Sequence, residues 1–207
     1  MEKEARVLGQ VLAEVRATAP EDGSGYYIDG KGIVFNQRSE KLGWFFEYID
    51  ADAVRDADFS GAVAYFNHDA NFVLGSLDNK TLGFNITRDF VSYHIDAPTT
   101  TTIKDLVIAP IERGDVKGSS FMFTVAKNGD DWEEEADGTI IRYIKKIERV
   151  YEMGPVSMPA YRQTTSDVAK RSFDDWVKEV RSQEEISESF FRRELARRKM
   201  DILRASR

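Results

Sequence analysis

The chain has 207 residues, 42% of them hydrophobic and 12% aromatic, and a formal net charge of −7. That is enough apolar material for one domain of ordinary size, and no apolar run reaches the ~18–20 residues of a membrane span. The absence of cysteine excludes disulfides, thiol nucleophiles and thiolate metal sites, and with only His68 and His94 a zinc centre would have to lean on carboxylates.

The amino terminus, "MEKEARVLGQVLAEVRA", places Val7, Leu8, Val11, Leu12 and Val15 near helical spacing, which predicts an amphipathic helix over residues 1–18. "APEDGSG" (19–25) then reads as a linker. Short β-like pieces follow, "YYIDG", "KGIVFN" and "FFEYID", and "DADAVRDA" is a short helix candidate. "AVAYF" (62–66) has the composition of a buried strand and runs into Asn67, His68 and Asp69. "TLGFNIT" and "FVSYHIDAP", joined at Arg88 and Asp89, predict a hairpin.

"TTTTIKDLVIAPIERGD" reads as a helix with a threonine cap that Pro110 must kink or end. "GDVKGSSFMFTV" (114–125) opens on small residues and becomes a strand. "KNGDDWEEEADG" is an acidic turn, and "TIIRYIKKIERVYEM" alternates well enough for one long strand. Residues 172–205 change to helical spacing, with Phe173, Trp176, Val177 and Val180 near one face and Ile186, Phe190 and Phe191 following. On such a helix this stripe ordinarily packs.

Many short strands and few helices predict a mixed α/β, β-rich domain: a closed or half-closed barrel with surrounding helices and a C-terminal helical tail. The divisions are an N-terminal helix and linker (1–24), a body (25–165) and a charged tail (166–207). Residues 192–207 hold seven Arg or Lys against Glu194 and Asp201, a net of +5, so the first 191 residues carry −12. An acidic body disfavours nucleic acid as a partner. No glycine-rich phosphate loop follows a strand, so nucleotide chemistry has no support.

A serine hydroxyl becomes nucleophilic when a histidine takes its proton and a third group fixes that histidine's tautomer. His68, at a strand end between Asn67 and Asp69, is the better base candidate, although Asn-His-Asp is also an ordinary turn. His94 shares a strand face with Ser92 and Asp96 and reads as a plain strand residue. Ser119 and Ser120 fall on opposite faces of their strand. Ser119 lies with Phe121, Phe123 and Val125 on the aromatic side, which leaves Ser120 free to face a site. Glu148 and Glu152 fall on one face of the long strand, and spacing does not separate them.

"YFNHDANFVLG", "IERGDVKGSSFMF" and "RVYEMGPVSMPAY", in this order and at these spacings, resemble the prohead maturation proteases of tailed bacteriophages. "GIVFNQRSEKLG" is similar to that family's opening strand, and the likeness spans roughly Gly30 to Tyr161. The resemblance implies a fold related to the β-barrel of the herpesvirus assembly proteases. It also implies His68 as general base, Ser120 as nucleophile and Glu152 in the third position, with Glu148 as the alternative. Gly118 and Ser119 would give backbone or oxyanion support. Ser76, Ser119 and Gly154 depart from the residues usual in the family.

Neither metal nor cofactor is implied. The resemblance further implies a serine endopeptidase inside the phage prohead, assembled in the host cytoplasm, with the capsid shell around it. Its substrates would be scaffold protein, or the scaffolding segment of the major capsid protein, and itself. Homo-oligomers fit this picture, while membranes and nucleic acid do not. The alternative is a catalytically silent assembly factor that keeps the fold and binds scaffold or capsid protein.

Overall fold

The computed structural model describes residues 3–8, 13–20, 25–157, 169–180 and 182. Its clearest element is β8 (Phe90–Ala97), where Val91, Tyr93, Ile95 and Ala97 are buried and His94 and Asp96 exposed. This is the period-two pattern of a strand with one face in a core. β7 (Leu82–Ile86) pairs antiparallel with β8, and Thr87 closes the predicted hairpin by bonding Phe90 from both its amide and its hydroxyl. β3 (Tyr26–Val34) joins two of the expected pieces into one strand. It lies between β2 (Arg16–Thr18) and β8, giving a four-stranded sheet β2-β3-β8-β7.

A five-stranded sheet runs β1-β9-β12-β5-β6, from β1 (Glu4–Leu8), β9 (Gly118–Val125), β12 (Ile147–Val156), β5 (Val63–Phe66) and β6 (Asp69–Ser76). A three-stranded sheet, β10-β11-β4, combines β10 (Asp130–Glu134), β11 (Ile140–Ile144) and β4 (Phe45–Ile49). One core cluster gathers Ile28, Ile33, Val91, Tyr93 and Ile95 with Phe121, Phe123, Val150 and Met153. Val107, Ile108 and Ile111 join it.

α1 opens at Thr100, whose hydroxyl accepts from Ile103 N at 3.4 Å. It runs through Thr101–Ile103, a π segment Lys104–Ile108 and Ala109–Arg113. Pro110 has no N–H to give, and the wider turn just before it takes up the misfit without breaking the helix. Gly114, at φ 82°, supplies the left-handed cap.

Four expectations are corrected. The N-terminal stretch is not one continuous helix: Glu4–Leu8 and Arg16–Thr18 are strands, Ala13 alone of its described residues is helical, and Glu4 and Arg6 are the buried residues of β1. Residues 51–56 form turns and not a helix. The expected long strand is two strands in different sheets, broken where Lys145 N and Lys146 N both bond Gly129 O. Finally, the fold is β-rich with few helices, as expected, but no closed barrel forms among the described residues.

The chain divides into two compact units, Met1–Val168 and Ala169–Arg207. In the second, residues 169–180 are helical, and Phe173, Trp176, Val177 and Val180 are half-buried, as the spacing predicts, together with Ser172. The Phe173 and Trp176 rings lie 5.5 Å apart. Ile186, Phe190, Phe191 and the basic run 192–207 fall outside the described residues.

Candidate active site

β5 and β6 are joined by two residues, Asn67 and His68, with Phe66 paired to Asp69. Both turn residues have positive φ, 55° and 60°, the signature of a type I′ hairpin turn. Asn and His are among the non-glycine residues that tolerate this region best. The turn is tied down from β12: Asn67 N donates to Pro155 O at 3.2 Å, and Asn67 Oδ1 accepts from Ser157 N at 2.8 Å. The Asn-His-Asp run is therefore a turn, and the turn is what aims the imidazole.

His68 Nε2 lies 2.7 Å from Ser120 Oγ, and His68 Nδ1 lies 2.8 Å from Glu152 Oε1. Sheet register brings the three together. Ser120 on β9 opposes Gly154 on β12, and Glu152 opposes Met122, so Glu152 and Ser120 lie two positions apart on one face of neighbouring strands. β5 runs parallel beside β12, with Val63 opposite Glu152, and carries the turn over that face. Gly154 is required here, because a Cβ on it would come 2.5 Å from Tyr65 O on β5. Ser120 and Glu152 are buried, and the His68 side chain is 11% exposed.

The two glutamates separate in the structure. Bulges in the β9–β12 pairing, between Ile147 and Arg149 and again between Val150 and Glu152, break the plain alternation of β12. Glu148 sits exposed at the start of β12, its carboxylate accepting from Thr124 Oγ1 at 3.4 Å. Glu152 reaches the imidazole.

The two serines separate as well. Ser119 points into the core and pairs with Tyr93 OH at 2.7 Å. Burial pushes the Tyr93 phenol above its ordinary range, against the weaker opposing effect of the Ser119 hydrogen bond, so both groups stay neutral partners. Gly30 leaves room for that phenol, since a Cβ there would lie 2.3 Å from Tyr93 OH. Gly118 opposes Val156, and a Cβ on it would stand 3.1 Å from Val156 O, so the glycine permits the close approach of β12 to β9.

His94 is elsewhere, half exposed on the outer face of the four-stranded sheet. Its Nδ1 meets Asp29 at 2.7 Å and its Nε2 meets Asp96 at 3.4 Å. The Asp29 hydrogen bond raises its pKa against the opposing effect of burial. Ser92 Oγ turns to Asn85 O at 3.5 Å, so no second serine–histidine pair forms there. A groove of about 490 Å³ on that face, lined by Asp29, Lys31, Phe84 and His94 among others, contains none of Ser120, His68 and Glu152.

Sequence reasoning missed one contact. Ser120 Oγ also lies 2.8 Å from Arg6 O on β1, so its single hydroxyl proton is shared between that carbonyl and His68 Nε2. The available signal was the alternation of Glu4 and Arg6 with Ala5 and Val7, a strand period that the helical reading of residues 1–18 passes over.

A family model described as caudovirus prohead serine protease matches residues 13–179. No curated protein matches the chain. No solved structure matches it either.

Proposed function

The chain belongs to the caudovirus prohead serine protease family, and on that premise we propose that it is a capsid-maturation endopeptidase working through Ser120, His68 and Glu152. The observation that carries this reading is the continuous relay from Ser120 Oγ to His68 Nε2 and from His68 Nδ1 to Glu152 Oε1, at 2.7 and 2.8 Å. His68, neutral with its hydrogen on Nδ1, donates to Glu152 and presents a lone pair at Nε2 to the serine hydroxyl.

As Ser120 Oγ attacks the scissile carbonyl, its proton passes to Nε2, and Glu152 stabilises the imidazolium that forms. Collapse of the tetrahedral intermediate breaks the C–N bond. The proton on Nε2 goes to the departing amine, which leaves an acyl-enzyme on Ser120. A water then gives its proton to Nε2 and attacks the ester. Collapse releases the new carboxyl terminus and returns the proton to Ser120. Gly118 and Ser119 act as backbone support: the first lets β12 pack close, and the second anchors β9 to Tyr93.

The substrates we assign are the phage scaffold, or the scaffolding segment of the major capsid protein, and the enzyme's own chain, all within the prohead interior. The test is intact mass against time for the wild type beside Ser120→Ala, alone and with scaffold protein. Fragments from the wild type alone are the expected result. A wild type that leaves both itself and scaffold uncut would favour the silent assembly factor.

A further inference from the structure

Behind the nucleophile strand lies a charge cluster that the proposed chemistry does not use. β1 pairs with β9 so that Val7 opposes Ser120 and Arg6 opposes Phe121. The Arg6 side chain therefore leaves the face opposite Ser120, while its carbonyl lies 2.8 Å from Ser120 Oγ and shares the hydroxyl proton with His68 Nε2. The guanidinium forks onto Glu47, with Nε and Nη2 each 2.5 Å from a carboxylate oxygen, and Nη2 also meets Glu4 at 2.8 Å. Arg142 forks onto both oxygens of Glu4 at 2.6 and 3.0 Å, sharing Oε2 with Arg6, reaches Glu47 at 3.3 Å, and pairs with Asp130 at 2.7 Å. Glu4, Arg6, Glu47 and Arg142 are all buried.

A buried ion network is weak evidence of stability, because desolvating the charges offsets most of their attraction. What forked arginine–carboxylate pairs do supply is position, since they fix direction as well as distance. β1 is an edge strand of five residues with β9 as its one neighbour in the sheet. The cluster pins this edge to β4 and β11 of the three-stranded sheet. One of the atoms held in place this way is the Arg6 carbonyl.

A serine on a strand has two common side-chain rotamers. Two acceptors within 2.8 Å of the oxygen, Arg6 O and His68 Nε2, select between them. Building on the protease reading above, we propose that Arg6 is a positioning residue for the nucleophile. Clamped by Glu4 and Glu47, it sets the carbonyl that holds Ser120 Oγ in line with His68. β1 is thereby part of the active site, although it lies before the span that matches the family model.

The test is the rate at which a serine-directed fluorophosphonate labels the full-length protein, which reads nucleophile reactivity without a cognate substrate. Arg6→Lys keeps the charge and loses the fork. Arg142→Lys disturbs the same cluster but leaves the Arg6–Glu47 fork intact. The maximal labelling rate of Arg6→Lys should fall by about ten- to a hundredfold, the upper figure being the size of effect that follows misplacement of a reacting group by about 1 Å. Its half-saturating probe concentration should not change. Arg142→Lys should slow far less at a comparable loss of melting temperature.

Should Arg6→Lys not fold, Glu47→Gln breaks the same fork and carries the comparison. Equal or faster labelling in a folded Arg6→Lys protein overturns the role. So does slowing of both variants in proportion to their lost stability. A wild type labelled no better than Ser120→Ala is a different result, which sinks the protease reading and this inference with it.

Discussion

β9 presents a polar network on each of its faces, and the two are built by opposite rules. On one, the His68 imidazole lies between the Ser120 hydroxyl and the Glu152 carboxylate. On the other, beside Phe121 and Phe123, Arg6 and Arg142 bind Glu4 and Glu47. Proton transfer needs a group that changes charge near neutral pH and reaches its substrate, which is histidine's property. Positioning needs charges that never change, which is arginine's. The first network keeps a partly exposed imidazole on a turn, and the second is sealed between two sheets.

The comparison is broken most decisively at the first face. Ser120→Ala and His68→Ala should each lower peptide-bond turnover by on the order of 10⁶, with little change in melting temperature. Turnover within tenfold of wild type in either variant would remove that residue from the chemistry. At the second face the cost should appear in folding. Glu47→Ala leaves Arg6 short of its main partner in the interior and should destabilise by about 3–5 kcal/mol in denaturant titration. A loss below about 1 kcal/mol, the scale of an exposed pair, would mean the cluster is solvated.

The pH dependence should sharpen the contrast further. Burial alone would raise the Glu4 carboxyl, but Arg6 and Arg142 outweigh it and hold the group below the ordinary carboxylate range. The unfolded chain then binds a proton at pH values where the folded one does not, so stability rises with pH. Glu4's contribution is complete above the ordinary carboxylate pKa and drains away as pH falls through the lowered one. His94 has the opposite sign and a smaller effect, because its raised pKa stabilises below the ordinary histidine value and is lost as pH rises through the raised one. Melting temperature against pH for wild type, Glu4→Gln and His94→Gln should show a flatter acid limb in the first variant. The second should lose only a small gain at mildly acid pH. Parallel curves for all three would contradict both assignments.

Much of the first face was legible because its residues serve local structure as well as chemistry. Asn67 and His68 make a turn, β8 alternates strictly, and Ser120 lies on the strand face left free by Phe121 and Phe123. The choice between Glu148 and Glu152 was not legible, since the β12 bulges are set by pairing with β9. The second face escaped altogether. Buried charges on β1 defeat any rule that sends charge outward, and their partners come from β4 and β11, far along the chain. The break at Lys145 and Lys146 was hidden for the same reason, because it depends on Gly129 O across a turn.

The relay itself is tested most directly by turnover of scaffold protein in Glu152→Gln measured beside Glu148→Gln. With Glu152 holding the imidazole in its productive tautomer, Glu152→Gln should lose several orders of magnitude, about 10⁴ by analogy with other disrupted orienting acids. Glu148→Gln should stay within a fewfold of wild type. Near-normal turnover in Glu152→Gln would contradict the account, and a collapse in Glu148→Gln alone would move the third role to the other glutamate.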